Sequence, residues 1–454
     1  MDRRIFLGSA LAGAVSATLS ACGGGEEGVA TSDLASSSRR TTTTTTATTT
    51  TAPATAKARV IVIGGGMGGA TVAKYLRLWG DAIAVTLVER MPTYTSNIMS
   101  SMVLTGQRSL SSLSYSYDTL RTKYGITTVF GEVVAIDPVA AKVTLANGTV
   151  LTADRIVMAP GITFDTVPGL GTSDKMPHAW QAGPQTTLLA NQLKAMSAGG
   201  VAVLSIPKTP YRCPPGPYER ACLIADWLRV NKPRSKLIVL DANPGIVTEV
   251  DNFTSAFTGL HGNVIEYHAN AEVTSVDPTS MSLFTTAGTI RGDVINLIPR
   301  QRAGTLIATA GLNNATEGRF AGVNVLSYAS TVAGASKVHI IGDSSATTQP
   351  KAGHIANQEA KVCADAISRI LSGGSPDPAP VTNSACFSTI TMSQASWLTA
   401  VFQYNAAWLN PATGVTGPAM APVAASSAAS TGWNSDNFEE MGTWFRALMA
   451  DSFA

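Results

Sequence analysis

The chain has 454 residues, 45% of them hydrophobic and 14% charged, with a formal net charge of +2. A chain of this length and apolar content can bury several cores, so a globular protein of roughly two or three domains is expected. The near-neutral charge, without a basic run in the part expected to fold, argues against nucleic acid or another acidic polymer as a partner.

Residues 1–22 are predicted to be an export signal. Arg3 and Arg4, followed by apolar residues, resemble the twin-arginine motif, and the next apolar stretch is too short to span a bilayer stably. Cys22 ends a stretch that resembles a bacterial lipobox, which predicts cleavage before Cys22 and a lipid on its sulfur; a plain signal-peptidase site is the alternative. The protein is therefore expected in the periplasm, with a membrane contact only through this anchor. Residues 23–57, rich in Gly, Ser and Thr, are predicted to be a linker.

A glycine-rich turn then predicts a dinucleotide site. Residues 59–63, Arg59 followed by four apolar residues, predict a strand. Gly64, Gly66 and Gly69 follow with the G-x-G-x-x-G spacing that brings backbone N–H groups and a helix N-terminus to a pyrophosphate. Such turns also close ordinary β–α units. Here a second predicted strand ends at Glu89, about 20 residues after the last glycine, where a carboxylate accepts the ribose hydroxyls of adenosine.

A second, distant segment indicates FAD. A predicted strand leads into Ala159, Pro160 and Gly161, a turn that resembles the exit from the FAD domain of two-nucleotide flavoproteins. Far downstream an apolar strand closes on Gly342 and Asp343, which resembles the flavoprotein pattern in which the aspartate binds the ribitol of FAD. The two segments imply one discontinuous FAD-binding domain. The predicted cofactor-binding residues are Gly64, Gly66, Gly69, Glu89, Arg90, Ala159, Pro160, Gly161, Gly342, Asp343, Lys351 and Gly353.

The whole chain predicts an α/β fold with two Rossmann-like dinucleotide-binding domains and a small C-terminal α+β domain. Strands are predicted over residues 200–207 and 237–241, but the proline-rich residues 207–217 stand where a nicotinamide-binding domain would have its glycine turn, so NAD(P)H is not expected as electron donor. Residues 393–404 suggest a strand pair or short sheet, and residues 437–449 an amphipathic helix. The predicted domains are residues 58–170 with 331–378 for FAD, 171–330 for a second nucleotide-type domain without a glycine fingerprint, and 379–454 for the C-terminal domain.

Four segments carry a resemblance to a known family: residues 177–183, 211–220, 294–304 and 341–343. They resemble the flavoprotein subunit of flavocytochrome c sulfide dehydrogenase, a relative of the sulfide:quinone oxidoreductases within the glutathione-reductase-like superfamily. The resemblance implies FAD as cofactor, a small reduced sulfur compound as donor, and a c-type cytochrome subunit or soluble cytochrome c as acceptor. It also implies that the C-terminal domain covers the flavin and forms part of the cytochrome contact. The sequence has no C-x-x-C-H haem motif and no metal-ligand spacing among its histidines, so any haem must lie on another polypeptide.

The resemblance also assigns catalytic residues. Cys213 lies in a loop that in this family faces the flavin and supplies one half of a redox-active disulfide, and Glu219 matches a carboxylate that acts as acid or base beside it. A buried structural thiol is the alternative for Cys213. The second sulfur of the family follows the Gly-Asp motif, where this chain has Ser345. The usual tethering cysteine is also missing from residues 95–101, so the FAD is predicted to be non-covalent.

Three other cysteines follow Cys213. Cys222 and Cys363 fall on predicted helices and are expected to be small buried thiols. Cys386 matches a cysteine position in the C-terminal region of the family and could approach the active site.

These observations predict an exported FAD-dependent oxidoreductase that oxidises a sulfide-like donor and passes electrons to a c-type cytochrome. Because Ser345 cannot form the family's disulfide, three variants remain open: direct attack on the flavin, a persulfide on Cys213 alone, or pairing with another cysteine. Two other classes also remain open. One is a flavoprotein acting on a non-sulfur donor such as NADH, and the other is a non-catalytic flavin-binding partner.

Overall fold

The computed structural model describes residues 55–411 and 413–454. The predicted export signal, the lipidation at Cys22 and the predicted linker as far as residue 54 lie outside the described residues. Among the residues that are described, no helix combines the length and the apolar character needed to cross a membrane.

The described residues form an α/β arrangement of strands and helices. The first part contains β1 (Ala58–Ile63), α1 (Met67–Trp79), β2 (Ile83–Glu89), β3 (Thr93–Thr95), α2 (Ser101–Leu104), β4 (Ser114–Ser116), α3 (Asp118–Tyr124), β5 (Thr127–Phe130), β6 (Val133–Asp137), β7 (Lys142–Leu145), β8 (Val150–Thr152) and β9 (Arg155–Met158). The middle part contains β10 (Ile162–Phe164), α4 (Pro184–Ala195), β11 (Val201–Ile206), α5 (Gly216–Asn231), β12 (Lys236–Asp241), α6 (Val250–Ser255), β13 (Ile265–His268), β14 (Val273–Asp277), β15 (Ser282–Thr285), β16 (Gly288–Arg291), β17 (Val294–Leu297) and β18 (Gln301–Ala303). The last part contains α7 (Thr305–Thr309), β19 (Ala321–Asn324), β20 (Ala329–Ser330), β21 (Val338–Ile340), β22 (Ser345–Ala346), α8 (Gly353–Leu371), β23 (Val381–Thr389), β24 (Ala395–Leu409), β25 (Thr416–Pro422), β26 (Ala428–Ala429) and α9 (Ser435–Phe453).

The first sheet is built around the strand that precedes the glycine turn. Its eight strands lie in the order β22-β19-β20-β21-β9-β1-β2-β5, and β1 pairs in parallel with both β2 and β9. Val60 and Val62 pack into the cluster that contains α1 and α8, whereas Ile61 and Ile63 pack into the cluster on the opposite face. A parallel strand that is buried on both faces has the continuous apolar sequence seen in β1.

Helices α1 and α8 pack on the same face of this sheet and bring their first residues together. Small residues allow their backbones to approach: a methyl group on Gly68 would lie 3.5 Å from the carbonyl oxygen of Ala356. At the N-termini, a methyl group on Gly353 would lie 3.3 Å from Cγ of Met67. Two helix N-termini, each with a partial positive charge, therefore meet at one place.

A second parallel sheet, in the order β13-β12-β11-β17, forms the middle of the molecule. It contains both strands predicted over residues 200–207 and 237–241, with β11 and β12 paired in parallel. Helix α5 begins only at Gly216, after the proline-rich loop that follows β11. The predicted fold class, with two Rossmann-like sheets, is confirmed.

The C-terminal sheet decides between the two alternatives predicted for residues 393–404. They do not form a strand pair, because β24 runs unbroken through Ala395–Leu409, and the segment is one strand of a small sheet. It pairs with β23 on one side and with β25 and β26 on the other, and this pairing on both sides keeps the segment extended. The predicted helix is present as α9, and Met441, Phe445 and Leu448 are buried against the α1 and α8 cluster.

Smaller sheets complete the fold: β3-β4, β6-β7-β8, β10-β18 and β14-β15-β16. The predicted hairpin is found between β7 and β8, which pair antiparallel around a turn at Gly148 with a φ of +85°. Residues of β3, β6 and β10 line the cavity described below, whereas β14 and β15 pack against the second parallel sheet through Val276 and Leu283.

Candidate active site

A cavity of about 850 Å³ is lined by residues of the first sheet and its loops, by the loop before α5 with the first turns of that helix, and by β23 of the C-terminal sheet. Its size is in the range of pockets that enclose cofactors or substrates. Of the predicted site residues, only Gly69 and Lys351 do not line it. The predicted residues in its wall are Gly64, Gly66, Glu89, Arg90, Ala159, Pro160, Gly161, Cys213, Glu219, Gly342, Asp343 and Gly353.

The glycine turn forms one part of the cavity wall and has the shape of a phosphate cradle. Gly64 has a φ of +94°, and a methyl group there would lie 2.5 Å from the carbonyl oxygen of Ala159. Helix α1 begins after Gly66 without a side-chain cap and without an acidic residue in its first turn, so its N-terminus is available to an anion. Gly69 acts differently: a methyl group on it would lie 1.7 Å from the carbonyl oxygen of Gly64. Its role is close packing between turn and helix.

Glu89 ends β2 beside this turn. Its Oε2 accepts a hydrogen bond from the Gly65 N–H at 2.6 Å, and its Oε1 accepts from the N–H groups of Arg90 at 2.8 Å and Met91 at 3.1 Å. Three backbone donors thus hold the carboxylate in the cavity wall, at the strand end where a ribose is bound in dinucleotide folds.

Asp343 supplies a second carboxylate to the cavity. Its Oδ1 is buried and has no hydrogen-bond partner in the described part of the chain. Burial raises the pKa of Asp343, against the lowering effect of the Arg212 and Lys351 charges. A buried acceptor without a partner needs a donor from outside the chain. Together with the glycine turn and Glu89, it makes the residues of this cavity fit a dinucleotide cofactor of the FAD type, with a hydroxyl-bearing chain beside Asp343.

The side chains of Lys351 and Ser345 are both held by contacts within the protein. The Lys351 Nζ donates to the carbonyl oxygen of Ser345 at 2.6 Å and lies 3.9 Å from the centre of the Phe320 ring. The buried Ser345 Oγ donates to the carbonyl oxygen of Gly342 at 2.8 Å and lies 3.3 Å from Oε2 of Glu359. Neither residue is part of the cavity wall. The position at which the resembled family has its second sulfur is therefore part of a buried polar network here.

The Cys213 thiol is fixed by its own loop. Cys213 has a φ of +56°, its N–H donates to the carbonyl oxygen of Lys351 at 2.6 Å, and its carbonyl oxygen accepts from the Gly216 N–H at 2.9 Å. A methyl group on Gly216 would lie 2.9 Å from the Cys213 Sγ, so the sulfur lies directly over the first residue of α5. Burial raises the pKa of this thiol well above its usual value, and the charges of Cys386 and Glu219 raise it further.

Glu219 lies in the first turn of the same helix and lines the cavity. Its Oε1 accepts a hydrogen bond from the Thr389 hydroxyl at 2.9 Å. Burial raises the pKa of Glu219 to about 7, although the Thr389 hydroxyl and the charge of Arg220 oppose the rise. A carboxyl group that titrates near neutral pH is suited to accept or donate a proton.

Arg220, the next residue, holds three segments of the site together and was not among the predicted site residues. Its guanidinium group donates to Ser101 Oγ at 3.2 Å, to Asn296 Oδ1 at 3.0 Å and to the carbonyl oxygen of Ala179 at 2.9 Å. It also lies 4.6 Å from the centre of the Trp180 ring. A signal was present in the sequence, because an arginine stands in a helix that is otherwise largely apolar. Such a buried cation needs several acceptors.

The C-terminal part of the chain also reaches the cavity. Cys386 and Phe387 of β23 and Trp444 of α9 are part of the wall, and His354 at the start of α8 joins them through its Nδ1, which accepts from the Ala385 N–H at 3.0 Å. Burial lowers the pKa of His354. Sequence reasoning placed Cys386 near the site only through the family resemblance, because nothing in its local sequence marks it.

The second Rossmann-like sheet has no comparable nucleotide site. Asp241 ends β12, where a ribose-binding acid would stand, but it is fully buried. Its Oδ2 accepts from the hydroxyls of Tyr218 at 2.7 Å and Tyr267 at 2.8 Å, and its Oδ1 accepts from the backbone N–H of Asn243 at 2.9 Å. The carboxylate is thus saturated by protein donors, and the proline-rich loop occupies the place of a glycine turn.

Two family models match the chain. Residues 58–195 match a model described as pyridine nucleotide-disulphide oxidoreductase. Residues 186–299 match a model described as the central part of the sulfide dehydrogenase [flavocytochrome c] flavoprotein chain. The fold, the site and both matches are thus similar to those of flavin-dependent oxidoreductases with two dinucleotide-type domains. Within that class, the predicted resemblance to the flavoprotein chain of flavocytochrome c sulfide dehydrogenase is confirmed.

Solved structures show the same fold. The chain is similar to the sulfide:quinone oxidoreductase of the hyperthermophilic bacterium Aquifex aeolicus, with a TM-score of 0.69, 17% identity, and coverage of 87% of this chain and 91% of that chain. It is also similar to the putidaredoxin reductase in a covalent complex with putidaredoxin, with a TM-score of 0.59, 16% identity, and coverage of 77% and 87%. A NAD-dependent persulfide reductase from A. fulgidus gives a TM-score of 0.57, 13% identity, and coverage of 86% and 77%.

Proposed function

We propose that the protein is an exported FAD-dependent oxidoreductase that oxidises a small reduced sulfur compound, such as sulfide, and passes the electrons to a c-type cytochrome. One observation carries the proposal: the Cys213 thiol and the Glu219 carboxyl group share a cavity with the dinucleotide cradle of Gly64, Glu89 and Asp343. A sulfur donor that enters this cavity meets a thiol, an acid–base group and the cofactor site together.

FAD would be held without a covalent bond. The glycine turn and the N-terminus of α1 would bind its diphosphate, Glu89 its adenosine ribose and Asp343 its ribitol. Residues 95–101 contain no cysteine, so the usual thioether attachment cannot form there. A bound flavin supplies a two-electron acceptor that can release electrons one at a time.

Glu219 is proposed to move the proton in the sulfur chemistry. The Cys213 thiol is protonated at neutral pH because burial raises its pKa, and only a thiolate is an effective nucleophile. Glu219, with a pKa of about 7, can take a proton from the thiol or from an incoming hydrogen sulfide. The Thr389 hydroxyl, 2.9 Å from Oε1, orients the carboxylate for this transfer.

The electron acceptor and the location of the protein follow from the family and from the N-terminal sequence. The name of the matched model includes flavocytochrome c, which supports a c-type cytochrome as partner, either a subunit or a soluble protein. The twin-arginine motif and Cys22 support export to the periplasm and attachment through a lipid.

One structural feature favours a second candidate. Ser345 is locked to Gly342 and Glu359 outside the cavity, so the site lacks the family's second sulfur at that position. A flavoprotein with a non-sulfur donor, or a flavin-binding partner without catalysis, would have this feature. NADH is disfavoured as that donor, because Asp241 is already saturated by tyrosine hydroxyls.

The test is a coupled reaction. Holoprotein is mixed anaerobically with sulfide and oxidised cytochrome c, and cytochrome reduction is followed by its absorbance. The proposal expects cytochrome reduction that depends on both holoprotein and sulfide, beyond the rate of sulfide with cytochrome alone. If sulfide, small thiols and polysulfide all fail to reduce the flavin, the result supports the second candidate instead.

A further inference from the structure

Two thiols line the cavity, and they come from distant parts of the chain. Cys213 lies in the loop before α5, and Cys386 lies near the middle of β23. The other cysteines in the described ranges, Cys222 and Cys363, are fully buried in helices and do not reach the cavity wall. All four are free thiols in the structure.

The strand that carries Cys386 is attached to the elements that surround Cys213. Three residues after Cys386, the Thr389 hydroxyl donates to Glu219 of α5 at 2.9 Å. One residue before it, the Ala385 N–H donates to His354 of α8 at 3.0 Å. Cys386 is therefore held between two hydrogen bonds that fix β23 against both helices.

Cys213 is attached to the same two helices from the other side. Its Sγ lies over Gly216, the first residue of α5, and its N–H donates at 2.6 Å to the carbonyl oxygen of Lys351, just before α8 begins at Gly353. Cys213 and Cys386 are thus both attached to the N-terminal turns of α5 and α8, and both line the cavity.

Charged groups around the two thiols also raise their pKa values. The Cys386 charge raises the pKa of Cys213, second only to burial. Burial, Glu249 and Glu219 raise the pKa of Cys386 to about 12. Both thiols are therefore protonated at neutral pH, and Glu219 is a neighbouring acid–base group to each of them.

We propose that Cys386 is the second catalytic sulfur of this site and that it closes a disulfide with Cys213 in the oxidised enzyme. This inference rests on the proposed function, since it supplies the sulfur that position 345 lacks. Closing the bond converts two thiols into one disulfide and releases two protons and two electrons, and a bound oxidised flavin would accept the electrons.

The disulfide then provides the electrophile for the donor. Hydrosulfide adds to the Cys213 sulfur, the S–S bond breaks, Cys213 becomes a persulfide and Cys386 leaves as a thiolate. Protonated Glu219 returns a proton to that thiolate.

The experiment maps the thiols of oxidised holoprotein. Free thiols are blocked with N-ethylmaleimide during denaturation, the protein is digested without reductant, and the peptides are identified by mass spectrometry. We expect the Cys213 and Cys386 peptides to be linked, directly or through added sulfur, and to separate on reduction. In Cys386→Ser the Cys213 thiol should be labelled as free, whereas Cys363→Ser should keep the linked pair.

Several results would overturn the pairing. Recovery of both Cys213 and Cys386 as maleimide adducts from ferricyanide-oxidised holoprotein would do so, as would linkage of Cys213 to Cys222 or Cys363. Because the mapping is done on the unaltered protein, it does not depend on the folding of a variant.

Flavin reduction by sulfide separates this inference from the proposed function. If wild type and Cys386→Ser bleach equally fast, the pairing is wrong and the function stands. If sulfide fails to bleach wild type but the peptides are linked, the proposed donor is wrong and the pair stands.

Discussion

The Ser345 hydroxyl lies 3.3 Å from Oε2 of Glu359, and neither residue lines the cavity. The same Glu359 Oε2 accepts from the Gly342 N–H at 2.5 Å. Position 345 is thus committed to a buried network that shapes the Gly342-Asp343 turn. A sulfur in this position would face a carboxyl group and not the cofactor site.

A Ser345→Cys variant is therefore expected to add one free thiol without creating a new disulfide. The side chain at position 345 keeps its direction because the Gly342 turn and Glu359 fix the backbone around it. Thiol mapping of the oxidised holoprotein measures this directly. Linkage between position 345 and Cys213 would contradict the orientation described above.

We expect Glu219 to make the free energy of unfolding fall as pH rises. Its pKa is raised from 4.5 to about 7 in the folded protein, so the folded state binds this proton more tightly than the unfolded chain. Its stabilising effect is complete below pH 4.5 and is lost as pH rises through 7, a change on the order of 3 kcal/mol. When unfolding by urea is measured across this pH range, the free energy of unfolding should fall less in Glu219→Gln than in wild type.

Two variants control the pH experiment. Glu440→Gln removes an exposed carboxyl group of α9 and should follow wild type. Thr389→Val removes the hydroxyl that lowers the pKa of Glu219. The loss of unfolding free energy should therefore occur at higher pH in this variant. If the curves of unfolding free energy against pH are parallel for wild type and Glu219→Gln, the pKa of Glu219 is not raised by folding.

We expect Gly66 to leave space for the diphosphate of FAD because it has no side chain. Gly66 lines the cavity, and a methyl group on it would meet only the Tyr94 ring, at 3.8 Å. Gly66→Ala should therefore fold normally and yet lose FAD affinity by about tenfold or more, because the methyl group occupies the diphosphate site. FAD released from purified protein and quantified by chromatography measures the loss.

Gly245→Ala is the matched control, because a methyl group there meets nothing within 4 Å and Gly245 is not part of the cavity wall. Equal FAD content in both variants would place the diphosphate elsewhere. A lowered melting temperature in Gly66→Ala alone would show that the substitution disturbs the fold and not the ligand.

NADH should leave the flavin oxidised. The ribose position of the second sheet is filled by the contacts of Asp241 with Tyr218 and Tyr267, so a nicotinamide nucleotide has no acceptor there. Anaerobic mixing of holoprotein with NADH or NADPH should give no bleaching, while dithionite should bleach the same sample fully. Rapid bleaching that saturates with NADH would contradict this account.

Local patterns in the sequence predicted the parts of the site that depend on local geometry. The turn at Gly64 follows β1, whose apolar run over residues 60–63 is continuous because the strand is buried on both faces. Glu89 ends β2, and the Gly342-Asp343 pair follows β21. The predicted strands of both parallel sheets lie where the sequence placed them.

The remaining features of the site depend on contacts between elements that are distant in the sequence. The direction of Ser345 is set by Glu359, which lies on a different element. Cys386 reaches the cavity because β23 pairs with β24 and is hydrogen-bonded to α5 and α8. For residues 393–404 the sequence left a strand pair and a short sheet open, because the pairing of β24 on both of its edges depends on strands elsewhere in the chain.

The most direct test of the central claim is an anaerobic titration of holoprotein with sulfide, following flavin absorbance in wild type and in Cys213→Ser. We predict that sulfide bleaches the wild-type flavin and that the variant, with equal flavin content, reacts on the order of 100-fold more slowly. Equal bleaching rates in the two proteins would contradict the claim that the Cys213 thiol carries the sulfur chemistry beside the flavin.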